Sequence, residues 1–293
     1  MKLPLFTSCC TALVTPFLEG QVNYPMLEQL LKRQMDAGIR AVVIAGTTGE
    51  SPTLSDSEKL ELIGRAKEYV GDRCMIIAGT GSNDTAHAAA LSLAAQKAGA
   101  DALLVVSPYY NKATDEGLYA HYLAIAHQVQ IPVIVYNVPS RTGVDIPVSV
   151  YKRLSRIPNI AGVKEASTDI VKVARTIREC GSDLYVWSGN DDLAVSAMAL
   201  GAKGLISVAS NVVPEEVMMM CDAALDGDFD TAADIQGKLL PLNDLLFCEV
   251  NPIPVKAAMK LIGYDCGECR LPLTAISTTN RDKLSSFFSK NFD

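Results

Sequence analysis

The 293-residue sequence lacks the features that direct a chain to a membrane or to nucleic acid. No apolar stretch approaches the roughly 18 residues that a spanning helix needs. Its 26 lysines and arginines are outnumbered by 33 aspartates and glutamates and form no dense basic run, so we expect no nucleic-acid partner. Pro4, Thr7 and Ser8 interrupt the weakly apolar start, so we expect no secretory signal and a cytoplasmic protein.

The eight cysteines are scattered, and many lie within apolar segments. This usage is typical of reduced thiols that serve as small apolar side chains rather than of a disulfide framework. Cys266 and Cys269 form a lone CxxC with no histidine nearby, which gives too few ligands for a zinc site. We therefore interpret the CxxC as a surface turn.

No GxGxxG motif follows the first predicted strand, which argues against a dinucleotide-binding sheet. Instead, short apolar runs alternate with longer amphipathic stretches from Thr7 to about Leu225, the pattern of repeated βα units. Eight such units favour a closed (β/α)8 TIM barrel. The predicted strands are residues 10–15, 41–45, 75–79, 102–107, 133–136, 162–165, 185–188 and 204–208.

Amphipathic stretches at 24–37, 55–70, 85–98 and 116–129 predict helices between these strands, and glycines at 38, 99 and 201 predict helix stops. Three further helical stretches, at 230–246, 254–262 and 279–288, follow the eighth unit without a strand between them. We therefore predict a catalytic barrel over 1–225 and a C-terminal helical appendage over 226–293. The many leucines of the appendage suggest that part of it contacts another subunit.

The active site of such a barrel lies at the C-terminal ends of the strands, where Lys164 stands out. Alternation along the sixth strand places Lys164 and Glu165 on opposite faces. Gly162, on the same face as Lys164, would leave space for a ligand. An apolar cavity would disfavour the ammonium form and leave a nucleophilic amine. The alternative is a lysine that snorkels to solvent or pairs with a carboxylate elsewhere.

Tyr136 ends the fifth strand, and neighbouring strands lie about 4.8 Å apart. Its phenol can therefore reach the Lys164 amine, where a carbinolamine needs a proton donor. Taken alone, Tyr136 is more typical of a core tyrosine whose hydroxyl binds a neighbour, and the pairing with Lys164 favours the proton donor.

Segment 46–51 (GTTGES) joins a strand to a helix and exposes backbone N–H groups and the hydroxyls of Thr47 and Thr48. We expect these donors at a helix N-terminus, where the carboxylate of a 2-oxo acid would bind. Arg141, on a loop over the same mouth, could form a bidentate pair with a second carboxylate. An ordinary capped turn and a solvated loop arginine remain the alternatives.

Together these segments resemble the dihydrodipicolinate synthase family, whose nearest relatives among the pyruvate-dependent class I aldolases are the N-acetylneuraminate lyases. The resemblance covers nearly the whole chain. The matching segments are 15–17 (TPF), 46–51 (GTTGES), 108–111 (PYYN), 136–143 (YNVPSRTG), 162–167 (GVKEAS), 188–192 (SGNDD) and 251–256 (NPIPVK).

The resemblance implies that Lys164 forms an imine with pyruvate and that Tyr136 transfers protons. It further implies that Thr47 and Thr48 bind the pyruvate carboxylate. Thr48 would also link Tyr136 to Tyr110, which a neighbouring subunit would supply. These roles belong to the resemblance and not to the spacing of the residues.

The resemblance also implies that Gly189 and Ile206 line the pyruvate pocket through backbone groups and that Arg141 binds L-aspartate 4-semialdehyde. The product would be 4-hydroxytetrahydrodipicolinate, in lysine and diaminopimelate biosynthesis, made without a cofactor or metal by a homotetramer built as a dimer of dimers. The alternative is an N-acetylneuraminate lyase or another pyruvate-dependent 2-oxo-acid aldolase. Ser-Arg-Thr-Gly at 140–143 favours the synthase, because the sugar-acid lyases usually lack it.

Some family members are inhibited by lysine, and Ser51, Asn83 and Tyr109 match that effector pocket. Lys59 and His87 occupy the positions where inhibited members carry a histidine and a glutamate. Loss of the acid removes a charge-assisted hydrogen bond worth roughly 1.5–3 kcal/mol, and Lys59 adds a like charge. We predict little or no inhibition by millimolar lysine in a dose–response assay at saturating pyruvate. Strong inhibition at submillimolar lysine would contradict this prediction.

Overall fold

Eight parallel strands form a closed barrel in the computed structural model, which describes residues 2–291. Each strand pairs with its neighbours in chain order, and the first pairs with the last. The predicted (β/α)8 architecture is therefore confirmed. The strands are β1 (Ser8–Ala12), β2 (Ala41–Ile44), β3 (Met75–Gly79), β4 (Ala102–Val106), β5 (Val133–Asn137), β6 (Ile160–Glu165), β7 (Tyr185–Ser188) and β8 (Gly204–Ser207).

Helices connect the strands, and a small hairpin of Phe17–Leu18 and Gln21–Val22 precedes the first helix. Gly38, Gly99 and Gly201 have φ angles of +92°, +105° and +109° just after helices, so the predicted stops are confirmed. The helices are α1 (Tyr24–Asp36), α2 (Asp56–Val70), α3 (Thr85–Lys97), α4 (Asp115–Gln128), α5 (Pro139–Thr142), α6 (Val148–Leu154), α7 (Ile170–Cys180), α8 (Ala194–Ala199), α9 (Pro214–Leu225), α10 (Phe229–Leu246), α11 (Ile253–Leu261) and α12 (Thr278–Asn291).

The first strand lies closer to the N-terminus than predicted. The sequence favoured residues 10–15, whereas β1 ends at Ala12. Pro16 has no N–H group for a strand ladder, and Thr15 donates its hydroxyl to the backbone oxygen of Gly49 at 2.7 Å. Leu13 and Val14 follow β1 and are buried in the core, which explains why the apolar run is longer than the strand.

The side chain of Trp187, on β7, fills the barrel interior next to β6 and is fully buried. Its ring stacks on Phe6 with 4.9 Å between the centroids. A Cβ at Gly162 would lie 2.5 Å from the Trp187 ring and 2.3 Å from the backbone oxygen of Tyr185. The prediction that Gly162 leaves space for a ligand is therefore wrong, because Trp187 occupies that space.

Helices α10, α11 and α12 follow the barrel without an intervening strand, as predicted. Leu239, Leu242 and Leu246 of α10 are buried in the core between the strands and the outer helices. The predicted boundary at 225/226 falls between α9 and α10, and a separate appendage over 226–293 stays a prediction. Within residues 2–291, no helix combines the length and apolar character needed to cross a membrane.

The packing of Trp187 against β6 predicts that Gly162→Ala destabilises the protein by about 1–3 kcal/mol, the usual cost of overpacking a core. Gly64→Ala is the matched control, because a Cβ there meets only the backbone oxygen of Ala98 at 3.8 Å on the helix α2. We expect the control to stabilise the chain by up to about 1 kcal/mol. Urea unfolding measures both changes, and equal stability of the two variants would contradict the expected packing.

Candidate active site

Lys164 lies near the C-terminal end of β6 with its side chain inside the barrel. In the strand register it is level with Tyr136 of β5 and Trp187 of β7. The side chain is 5 % exposed, and Nζ lies 4.5 Å from the centre of the Tyr136 ring. The fold therefore brings Lys164 and Tyr136 together at one level of the barrel.

Glu165 faces the helix layer, as strand alternation predicted. Its carboxylate accepts hydrogen bonds from Asn137 Nδ2 at 2.7 Å, the Tyr151 hydroxyl at 3.0 Å and the Ser167 amide at 2.9 Å. Burial and the charge of Glu165 raise the pKa of Tyr151, so its hydroxyl stays protonated as a donor. These bonds fix the end of β6 from outside and so hold the backbone of Lys164 in place.

Lys164 differs from the other buried lysines because it has no acidic partner among the described residues. Within residues 2–291 four lysines are buried, and three of them have a carboxylate within ion-pair distance. These are Lys59 with Asp56 (3.9 Å), Lys172 with Asp145, and Lys256 with Glu50 (2.7 Å). No hydrogen bond or ion pair joins the Lys164 amine to any residue within 2–291. The reading of Lys164 as a lysine paired with a carboxylate is therefore excluded for the described part of the chain.

The loop after β7 shapes the surroundings of this amine. A Cβ at Gly189 would lie 3.0 Å from Lys164 Cε, so the glycine lets the lysine lie against the loop. Asp191 is buried and accepts hydrogen bonds from the Ser207 hydroxyl and the Val208 amide. Burial raises the pKa of Asp191, whereas its hydrogen bonds and the charge of Lys164 act in the opposite direction. Asp191 places an acid in the wall without an ion pair to Lys164.

Thr47 and Thr48 lie in a turn after β2 and not at the N-terminus of an α-helix. The turn leads into a 3₁₀ turn, and α2 begins only after Ser55. The predicted helix N-terminus is wrong because Ser55 and Glu58 form a capping box that starts the helix at that point. The backbone amides of Thr47 and Thr48 bond to no other residue in the described range. They are therefore available as donors to a ligand.

Asn251 connects this turn to Arg141. Its Nδ2 donates to the Thr48 hydroxyl at 3.0 Å, and its backbone oxygen accepts from Arg141 Nη2 at 3.2 Å. Arg141 lies on the short helix α5, directly after β5. No hydrogen bond joins Thr48 to Tyr136 among residues 2–291, so the proposed hydroxyl relay stays a prediction. Sequence reasoning missed Asn251, although it begins the matching segment 251–256.

A buried ion pair holds the same turn from the C-terminal side. Lys256 of α11 lies 2.7 Å from the carboxylate of Glu50, and the two side chains are only 3 % and 1 % exposed. Glu50 also accepts a hydrogen bond from the Arg270 amide at 2.8 Å. The helices beyond the barrel therefore position the turn that carries Thr47 and Thr48.

A cavity of about 680 Å³ opens above Lys164. The predicted site residues that line it are Lys164, Tyr136, Thr47, Thr48, Arg141 and Gly189. Ile206 is fully buried in the barrel interior and does not line this cavity. Tyr110 is 89 % exposed with φ +72° and lies outside the cavity, so its role in a neighbouring subunit stays a prediction.

A second cavity of about 510 Å³ adjoins the first and shares Thr47, Tyr136 and Arg141 with it. Lining it are Ser51, Lys59, His87 and Tyr109 of the predicted effector pocket, but not Asn83. His87 Nε2 lies 2.8 Å from the Asp56 carboxylate. Burial lowers the pKa of Lys59 below its ordinary value, and the nearby charge of Asp56 offsets only part of this shift. The acid of this pocket is thus already engaged by two basic side chains of the chain itself.

The arrangement as a whole defines a class of enzyme. An unpaired amine buried beside a phenol can form an imine with a ketone. Two free amides at one wall and a guanidinium at another can each bind a carboxylate. The barrel is therefore equipped for Schiff-base chemistry on a 2-oxo acid and a second acidic substrate.

Comparison with known proteins gives the family. The model of the Dihydrodipicolinate synthetase family matches residues 5–291. A 4-hydroxy-tetrahydrodipicolinate synthase of Thermoanaerobacter sp. (strain X514) is 48 % identical over 289 residues, 98 % of this chain and 97 % of the relative. The chain therefore belongs to the dihydrodipicolinate synthetase family, and the resemblance seen in the sequence is confirmed.

Solved structures of the same family share the fold. The dihydrodipicolinate synthase from Aquifex aeolicus has a TM-score of 0.95 at 45 % identity, over 97 % of this chain and 98 % of that one. A monomeric dihydrodipicolinate synthase variant has a TM-score of 0.95 at 40 % identity, over 97 % and 96 % of the two chains.

The buried ion pair predicts that Lys256→Met lowers the free energy of unfolding by about 3–5 kcal/mol, because Glu50 is left buried without a counter-ion. The double variant Glu50→Gln/Lys256→Met removes both charges and should recover much of this loss. Lys260→Met serves as a control, since its ion pair with Asp265 is exposed and should leave stability nearly unchanged. Urea unfolding measures all three, and a double variant no more stable than Lys256→Met would contradict the role of the pair.

Proposed function

We propose that the chain is a lyase that condenses pyruvate with L-aspartate 4-semialdehyde to 4-hydroxytetrahydrodipicolinate, in lysine and diaminopimelate biosynthesis. The observation that carries this proposal is the buried Lys164 amine, which has no acidic partner within residues 2–291 and lines the large cavity. Family membership supports the same reaction, because the relative from Thermoanaerobacter bears the name of that synthase.

The chemistry begins at Lys164 Nζ, which attacks the C2 carbonyl of pyruvate. A C–N bond forms, the carbonyl oxygen takes up a proton, and its loss as water leaves the imine. The Tyr136 phenol, beside Nζ, is the proton carrier for these steps. Loss of a methyl proton then gives an enamine, whose carbon attacks the aldehyde carbon of the second substrate. The amino group of that substrate finally attacks the imine carbon, which closes the ring and releases Lys164.

The two carboxylates occupy different walls of the cavity in this proposal. The amides of Thr47 and Thr48 and their hydroxyls hold the pyruvate carboxylate. Arg141 holds the carboxylate of the aldehyde substrate, in a charge-assisted pair. Gly189 lines this cavity and contributes a backbone group beside the pyruvate, whereas Ile206 does not line it and has no part in this proposal.

The test of this function is an assay with pyruvate and L-aspartate 4-semialdehyde, with the cyclised product detected by mass spectrometry. We predict that the wild type forms it, that Lys164→Ala abolishes turnover, and that Lys32→Ala, at an exposed lysine paired with Asp36, leaves turnover unchanged. The melting temperature of Lys164→Ala should stay close to that of the wild type, because its side chain faces the cavity. Robust cleavage of N-acetylneuraminate without condensation would instead identify a sugar-acid lyase.

We also propose that the enzyme acts in the cytoplasm as a homotetramer built as a dimer of dimers, with Tyr110 reaching the site of the neighbouring subunit. Two features support this assignment of Tyr110. Its side chain is almost fully exposed in the single chain, and its backbone adopts a left-handed conformation that costs an aromatic residue about 1–2 kcal/mol. Strain of this kind persists where the surroundings or the function require the conformation.

A subunit-mixing experiment tests the shared site. We predict that inactive Tyr110→Phe and Lys164→Ala subunits regain activity when exchanged, because the heterodimer contains one complete site. The matched control mixes Tyr136→Phe with Lys164→Ala, whose changes fall in the same chain's site and should give no recovery. If mass spectrometry proves that subunits exchange and the Tyr110→Phe/Lys164→Ala mixture still regains no activity, Tyr110 does not act across the interface.

A further inference from the structure

Two buried asparagine side chains in the large cavity have an acceptor that the protein leaves unused. Asn243 and Asn251 both line the cavity and are each 5 % exposed. The Oδ1 atoms of both are buried and have no hydrogen-bond partner within residues 2–291. A buried carbonyl oxygen without a donor is costly, so each of these atoms is suited to receive an N–H or O–H group of a ligand.

The orientation of Asn251 is set by its other contacts. Its Nδ2 is committed to the Thr48 hydroxyl, and its backbone oxygen is committed to Arg141. Asn251 therefore connects the proposed pyruvate subsite at Thr48 to the proposed subsite for the second carboxylate at Arg141, and its Oδ1 remains without a partner among the described residues. A donor group on the second substrate would meet it there.

Asn243 adds a second acceptor from the last turn of α10, which ends at Leu246. Its side chain makes no hydrogen bond to another described residue. The C-terminal end of a helix carries partial negative charge, which favours a cation nearby. Asp244, the next residue, also lines the cavity and is exposed. This wall therefore favours a positively charged hydrogen-bond donor and not an anion.

Three of the acids that line the cavity are already engaged, whereas Asp192 and Asp244 are exposed. Asp145 is paired with Lys172, Asp169 caps the N-terminus of α7, and Asp191 accepts bonds from the loop after β8. The amide oxygens of Asn243 and Asn251 and the hydroxyl of Ser167 are the buried polar atoms of the cavity lining that have no partner within residues 2–291, and of these only the two amide oxygens act solely as acceptors.

If the proposed function holds, the substrates supply one cationic donor. Pyruvate has none, whereas the aldehyde carries an α-ammonium group beside its carboxylate. We infer that the Oδ1 atoms of Asn243 and Asn251 accept hydrogen bonds from this ammonium group and select a 2-amino-4-oxo acid over an unsubstituted aldehyde acid.

The experiment compares two aldehydes, L-aspartate 4-semialdehyde and succinate semialdehyde, which differ only in the amino group. Condensation with pyruvate is followed by mass spectrometry and pyruvate consumption; with succinate semialdehyde, water attacks the imine carbon in place of the amino group and releases an open-chain product from Lys164. We expect Asn243→Leu to lower kcat/KM for the amino aldehyde by about ten- to a hundredfold, the range for a hydrogen bond to a charged group. Use of succinate semialdehyde should stay within about twofold of the wild type, since that substrate has nothing to donate.

Asn243→Asp is the matched variant, because it keeps an acceptor of the same size. It should retain the preference for the amino aldehyde. If Asn243→Leu lowered kcat/KM equally for both aldehydes, Asn243 would have a structural role and the inference would fail. If Asn243→Asp no longer preferred the amino aldehyde, the inference would also fail. A wild type that forms no product with the amino aldehyde would refute the proposed function itself, so the two failures are distinguishable.

Discussion

A buried lysine without a counter-ion is the constraint on which the site depends. Burying an ammonium group costs free energy that a paired carboxylate partly offsets, as at Lys172 and Lys256. Lys164 has no ion pair of this kind within residues 2–291, because Glu165 points to the opposite face and Asp191, whose charge is felt at Lys164, is held by its own hydrogen bonds. The Lys164 amine is therefore left without a hydrogen-bond or ion-pair partner among the described residues, and it lines a cavity that a ligand can enter.

The rest of the site is organised around that amine by contacts between distant parts of the chain. Asn251 bonds to Thr48 across 203 positions of sequence, and Lys256 bonds to Glu50 across 206. Without the segment that follows the barrel, the turn carrying Thr48 would lose both restraints. The segment after the barrel therefore positions the turn that carries Thr48 and is not only a covering of the barrel. This explains why the resemblance to the family extends into them.

The features that could be predicted from the sequence are those set by local rules. Strand alternation placed Lys164 inside the barrel and Glu165 outside, and register with the neighbouring strand brought Tyr136 to the same level. Glycine at helix ends gave the helix stops. The Ser55 capping box was also readable, as a serine followed three residues later by Glu58. The helix was predicted over 55–70, and α2 begins at Asp56, so only the placement of Thr47 and Thr48 at a helix N-terminus overlooked this cap.

The features that could not be predicted depend on which side chain from another strand or helix fills a given space. Gly162 looked like ligand space because nothing in its own segment shows that Trp187 packs against it. Asn243 and Asn251 carry no periodic signal, and their free oxygens are visible only once both helices and strands are in place. Contacts of this kind are fixed by tertiary packing, which a single sequence does not encode in a readable pattern.

The most direct test of the central claim is to trap the imine. The protein is incubated with pyruvate, reduced with borohydride and digested with trypsin, and the peptides are analysed by mass spectrometry. We predict one reduced pyruvyl group, on Lys164, in an uncleaved peptide that spans residues 157–172. The buried but paired Lys256 serves as the internal control and should be unmodified. A pyruvyl group on any other lysine, or none at all, would contradict the role of Lys164.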